Sequence, residues 1–149
     1  MKNLLCLAVL FFIISIVFQF WSAMQKNISS EPRVVFPDGY QFSPLIADNE
    51  FKSKVGLSEQ IEPTSMLFIF DYKTIVPIWM KGMHFPIDII WLDGQTVVGF
   101  EIDVQVENPP VTIYRSPVPV DRVLEVPAGF VKAHNLVVGN QLDIELGEE

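Results

Sequence analysis

Between Phe100 and Glu107 the chain alternates without a break. Phe100, Ile102, Val104 and Val106 are apolar, and Glu101, Asp103, Gln105 and Glu107 stand between them. Side chains on a strand point to alternate faces, so this octet predicts a half-buried antiparallel strand with one wet face. Such a strand needs partners, and short apolar runs supply them: Met66 to Phe70, Ile75 to Met80, Asp88 to Leu92, Val111 to Tyr114, Val123 to Val126 and Leu142 to Leu146. Turn residues separate the runs. Asp93-Gly94 tolerates positive φ and suits a hairpin. Asn108-Pro109-Pro110 and Ser116-Pro117-Val118-Pro119 interrupt pairing because proline has no N–H to give. Val138-Gly139-Asn140-Gln141-Leu142 reads as a tight turn into the last strand.

Helices are minor. Gln41 to Ala47 reads as a strand, with Asp48 as N-cap of a short helix over Asn49 to Leu57. Phe51 and Val55 share one face of that helix, and Gly56 falls at its end. Ala128 to His134 reads as one helical turn. About seven short strands with close turns predict a mostly β fold, a small antiparallel barrel or β-roll with one or two short helices.

The N-terminus is different in kind. Leu4 to Ala23 carries no charge, and Ser15, Gln19 and Ser22 are its only clearly polar residues. Twenty helical residues span roughly 30 Å, the thickness of a bilayer core. Trp21 and Lys26 follow at interface depth. The segment is therefore expected to be a transmembrane helix. A cleaved signal peptide is the rival, but cleavage after Ala23 puts Trp21 where a small residue is wanted. This gives a signal-anchor at 1–26, a linker at 27–33 and a β domain at 34–149. The short N-terminal tail favours a single pass through the cytoplasmic membrane with the domain outside.

All 18 acidic residues lie after Ser30, and the net charge of the 149-residue chain is −8. Such a surface repels phosphate backbones, which argues against nucleic-acid binding. The single cysteine, Cys6, cannot form an internal disulfide.

An ordered set of motifs carries a family resemblance. Gly56-Leu57 is followed by Ser65-Met66-Leu67-Phe68-Ile69-Phe70, then by Trp79-Met80-Lys81 and Pro86-Ile87-Asp88-Ile89-Ile90-Trp91. Tyr114-Arg115-Ser116, Val123-Leu124-Glu125, Ala128-Gly129 and Val138-Gly139-Asn140 complete it. From about Phe42 to Leu146 the chain resembles the DUF192 (UPF0127) family. The resemblance implies a compact, mostly β prokaryotic domain, often behind a signal or anchor, and no established activity. Members commonly have Asn-Thr where Gly82-Met83 stands, so a role for that pair does not carry over.

Four residues are candidates for a ligand face: Trp79 as an aromatic platform, Lys81 as a grip for an anion, and the carboxylates Asp88 and Glu125. Each has a structural alternative. Trp79 could fill the core. Asp88 could accept backbone N–H bonds from a neighbouring loop, or pair with Lys81. Glu125, on the face of Val123 and opposite Leu124 and Val126, could pair with Arg122 or Arg115. His84 and His134 give no metal site by spacing, because an extended chain from His84 to Asp88 is too long to share one ion. Ser116, His84 and Asp88 supply the residue types of a triad without a nucleophile elbow. No cofactor motif is present.

The sequence therefore predicts a membrane-attached binding or accessory module of the cell envelope. Its partners are the membrane, through residues 4–23, and a small ligand or an envelope protein. Two alternatives stand beside it. One is a small hydrolase using Asp88 and Glu125 as paired carboxylates, which requires them to converge in one cleft. The other is a subunit of a membrane complex with an apolar interface.

Overall fold

Strand β9, Val120–Pro127, lies at the centre of a five-stranded sheet and fixes the layout of the domain. The computed structural model describes residues 12–22, 31–107, 110 and 112–147, apart from the side chain of Phe51. In chain order the elements are helix α1 (residues 12–22), β1 (Arg33–Val35), β2 (Gln41–Phe42), β3 (Leu45–Ala47), α2 (Glu50–Val55), β4 (Met66–Thr74) and β5 (Pro77–Trp79). They continue with β6 (Ile87–Asp93), β7 (Thr96–Val104), β8 (Ile113–Arg115), β9, α3 (Phe130–Ala133) and β10 (Asp143–Glu145). The strands from β1 to β10 belong to one unit, Pro32–Glu145, and α1 belongs to another.

The central sheet has the order β3-β4-β9-β6-β7. Its β3–β4 pair is parallel and the others are antiparallel. Two smaller sheets, β10-β1-β2 and β5-β8, accompany it. The expectation of a mostly β fold with short helices holds, but a closed barrel does not form. The reason lies in β6 and β9, whose runs of buried residues serve two cores. Ile87, Ile89, Trp91 and Val123 join one cluster with Met66, Phe68, Ile78 and Met83. Ile90, Leu92, Leu124 and Val126 join another with Val34, Leu136 and Leu142. A barrel has one interior, whereas this sheet is covered on both faces, which explains the near-continuous apolar runs.

Other expectations shift at their ends. Gln41 to Ala47 is two strands in different sheets, broken at Ser43-Pro44. The N-cap of α2 is Asn49, whose side chain accepts from Lys52 N–H at 2.9 Å, and Asp48 pairs with the Lys52 ammonium at 2.8 Å instead. Gly56 closes α2 as expected, with φ 53°. The hairpin joining β6 to β7 forms one residue later than expected: Asp93 pairs with Thr96, the loop is Gly94-Gln95, and only Gly94 of these takes a positive φ.

The alternating octet breaks in an informative place. Ile87 pairs with Val104 but Ile89 pairs with Glu101, so β7 carries one extra residue between these pairs. Asp103 takes a left-handed φ of 52° there, the mark of a β-bulge. The bulge turns Val104 into the first core, while Phe100 packs against the second. Ile102 is left 59% exposed, and Val106 is exposed as well.

The expected membrane segment is only partly described. Residues 12–22 are helical, and residues 4–11 and 23 lie outside the described residues, as do Lys26, most of the linker and Asn108-Pro109. Among the described residues no helix is long and apolar enough to cross a membrane. The structure therefore gives no support to the spanning helix.

Candidate functional site: a cleft over a buried glutamate

Glu125 occupies the middle of β9, paired across the sheet with Met66 on one side and Ile89 on the other. Those neighbours belong to the first core, so the alternation of β9 aims the Glu125 side chain into an apolar layer. It is 4% exposed. Neither Arg122 nor Arg115 reaches it. Arg122 donates instead to the Gly94 carbonyl at 3.0 Å, which corrects the expected ion pair. Desolvation alone pushes the Glu125 pKa up to about 8, and no charge or hydrogen bond among the described residues offsets it. At neutral pH the group is therefore mainly the neutral acid.

A carboxyl this deep needs an outlet for its polar atoms, and it has one. A cleft of about 60 Å³ opens above it, walled by Lys54, Ser58, Phe68, Trp79 and Lys81. No described buried side-chain oxygen is both sealed and unpartnered, so the Glu125 carboxyl faces this space. The volume suits a few water molecules or one small polar group.

Local chemistry builds each wall. Gly56 ends α2 over Phe68, where a Cβ would lie 3.5 Å from the ring. The chain then turns sharply, with Ser58 N–H and Oγ both donating to the Val55 carbonyl and Leu57 buried as the anchor. This leaves Lys54 exposed on one rim. Across the cleft, β5 alternates, so that Ile78 enters the core and Trp79 turns outward. Trp79 is 42% exposed, and the tryptophan that fills the core is Trp91. After Trp79 the chain reverses through Met80-Lys81-Gly82-Met83, closed by Met83 N–H to the Met80 carbonyl at 3.2 Å. Gly82 has φ +76° at the third position, the geometry of a type II turn. Met80 and Met83 are buried, and they hold Lys81 out at the opposite rim.

The structure thus brings together three of the four candidate residues, Trp79, Lys81 and Glu125. It does not bring Asp88. Asp88 is fully buried and pairs in register with Val126, while Glu125 pairs with Ile89, so the two carboxylates lie on opposite faces of the sheet. The paired-carboxylate hydrolase is excluded by that geometry. Asp88 accepts three backbone N–H bonds, from Asp103 (2.8 Å), Gly129 (3.2 Å) and Val131 (2.8 Å). It ties the β7 bulge to the start of α3 and has no bond to Lys81. Ser116 is likewise structural, its Oγ accepting from Val76 N–H at 3.0 Å. His134 lies beside Asp38 at 2.7 Å, in a ring of Phe36, Tyr40 and Phe130. Among the described residues no three His, Cys, Asp or Glu side chains could share a metal.

Lys54, Ser58 and Phe68 were not among the candidates. Phe68 reads as an ordinary core residue, and Lys54 as a solvated helix residue. The one available signal was Gly56-Leu57, a helix stop followed by an anchor, which implies a turn folded back onto the sheet.

These features define a class: a two-faced, mostly β domain with a small cleft between its α2 turn and its β5 turn. The DUF192 family model, described as "Uncharacterized ACR", matches residues 34–144, and the chain belongs to that family. Among curated proteins none matches it. A solved structure from Sinorhizobium meliloti 1021, provisionally described as a transcription regulator, is similar at 26% identity with a TM-score of 0.64, over 77% of this chain and 95% of that one. A protein of unknown function from Novosphingobium aromaticivorans DSM 12444 shares the fold, with a TM-score of 0.67 at 19% identity over 76% of this chain and 83% of its own.

Proposed function

We propose that this DUF192 domain is a ligand-binding module whose site is the cleft over Glu125, rimmed by Lys54, Trp79 and Lys81. One observation carries the reading. A carboxyl on a central strand is buried and unpartnered among the described residues, yet open to a polar cavity beside an exposed indole. A ligand in the cleft bonds to this carboxyl in place of solvent, and the indole offers a flat apolar platform beside it. With Asp88 on the other face, no second carboxylate is available to make the cleft a two-acid active site.

The uncharged stretch 4–23 supports attachment to the cytoplasmic membrane, with the domain on its outer side. The net charge of −8 opposes a nucleic-acid role, so the regulator description of the S. meliloti protein is not carried to this chain.

The test is a thermal-shift screen of the full chain against small carboxylates, amines, sugars and peptides. A ligand at 100 times its dissociation constant adds about 2.7 kcal/mol and raises the midpoint by several degrees. The shift is expected to disappear in Trp79→Ala and to change in Glu125→Gln. A ligand whose shift survives both variants and Lys81→Gln unaltered places the site elsewhere.

A further inference from the structure

We infer that the cleft and the trough beside it bind a small monocarboxylic acid with a short apolar tail, its carboxylate between Lys54 and Lys81 and against Glu125, its tail over Phe68, Phe70 and Ile78. The inference rests on the cleft being the ligand site and names what enters it.

Charge selects the head group. The chain as a whole is strongly acidic, yet the ionised side chains walling this cleft are two lysines. The one acidic wall residue, Glu125, is buried, holds its proton at neutral pH and so presents an O–H donor as well as an acceptor. A carboxylate meets two ammonium groups and an O–H, and bonds of this kind are short and strong. An ammonium ligand would meet two like charges.

Size and shape select the rest. The cleft itself is small, about 60 Å³, and takes a carboxylate. Next to it lies an open trough of about 210 Å³, which shares Lys54, Phe68, Pro77 and Ile78 with the cleft and adds Phe70 and Val76. Its walls are mainly apolar, as an aliphatic tail requires. The trough also borders Glu50, and the hollow beyond it is walled by Asp48, Glu50 and Asp71. That acidic end repels a carboxylate and the lysine end attracts it, so the ligand has one orientation.

The test titrates the full chain with sodium hexanoate, hexanamide and hexylamine at pH 6.5 and pH 9. Hexanoate is expected to bind, and hexanamide to bind at least roughly ten times more weakly, having lost its charged hydrogen bonds. Lys81→Gln and Lys54→Gln should each weaken hexanoate by roughly tenfold. Hexanoate affinity in the wild type should fall between pH 6.5 and pH 9 as Glu125 becomes a carboxylate facing a carboxylate. Glu125→Gln should keep hexanoate binding and lose that pH dependence, since its amide N–H replaces the O–H donor. Hexylamine bound more tightly than hexanoate, and lost in Glu125→Gln, overturns the inference while leaving the cleft as the ligand site. Hexanoate binding that ignores Lys54→Gln, Lys81→Gln and pH overturns both. An apolar N-acetyl tripeptide with a free C-terminus binding more than ten times more tightly than hexanoate overturns the assignment to free acids. The absence of hexanoate binding overturns it outright.

Discussion

Asp88 and Glu125 are buried in adjacent strands of one sheet and face opposite ways. Asp88 stands opposite Val126 and Glu125 opposite Ile89, one register step apart. The step decides their chemistry. On one face Asp88 satisfies three backbone donors. On the other, Glu125 meets apolar side chains and a cavity.

Asp88 is accordingly a stability residue. Asp88→Ala strands three backbone N–H groups, and each buried unsatisfied donor costs about 1–3 kcal/mol. Asp88→Asn retains one acceptor oxygen and turns an N–H₂ toward the remaining donors. Urea unfolding should show a loss of roughly 3–5 kcal/mol in Asp88→Ala, two of the three donors being only partly buried, and a smaller loss in Asp88→Asn. Hexanoate binding at the cleft should persist wherever the variant remains folded.

Glu125 predicts an unusual pH dependence of stability. Below its ordinary pKa of 4.5 the group is protonated in both folded and unfolded chains and contributes nothing. Between 4.5 and about 8 the unfolded chain has released the proton while the folded chain retains it, so raising the pH favours unfolding. The penalty grows at up to about 1.4 kcal/mol per pH unit and levels off above pH 8. Glu125→Gln removes this component. The variant should be more stable than wild type at pH 8.5, by an amount on the order of a few kcal/mol, and close to it at pH 4. Denaturant melts of both proteins across this range check the sign.

Gly82 predicts a graded series. Its φ of +76° is strained for most L residues by roughly 1–2 kcal/mol, less for asparagine, whose short polar side chain tolerates the left-handed region. Gly82→Asn should cost less than about 1 kcal/mol. Gly82→Val should cost more and displace Lys81 from the rim. Thermal melts give the order, and hexanoate titration shows whether the rim has moved.

The two domain tryptophans should separate stability from binding. Trp91 is buried on the central sheet, and Trp91→Ala should cost about 3–5 kcal/mol. Trp79 is 42% exposed, and its truncation should cost less than about 1.5 kcal/mol while weakening ligand binding. Unfolding and binding measured on the same two variants check the contrast.

Periodicity made the strands legible, together with the β6–β7 hairpin to within one residue and the face on which Glu125 lies. It did not show that this face is covered, because a lone Glu between Leu124 and Val126 reads the same on a wet edge strand as on a central one. That required knowing that β9 sits between β4 and β6, a long-range pairing. The octet misled for a local reason. Asp103 carries no label distinguishing a bulge from a pleat, yet the bulge reverses which of Phe100, Ile102 and Val104 meet the same core. Trp79 and Trp91 could not be told apart by type, since only the alternation within the three-residue β5 turns Trp79 outward. The turn walls at Lys54 and Ser58 were hidden because they act through placement.

The most direct measurement is a ¹³C NMR titration of the Glu125 side-chain carboxyl in the full chain, assigned by its loss in Glu125→Gln. A midpoint near 8 is the expected result, and hexanoate should raise it further by adding a negative charge against the group. A midpoint near 4.5 would contradict the account, since it would mean an ionised, solvated carboxylate and no donor waiting in the cleft.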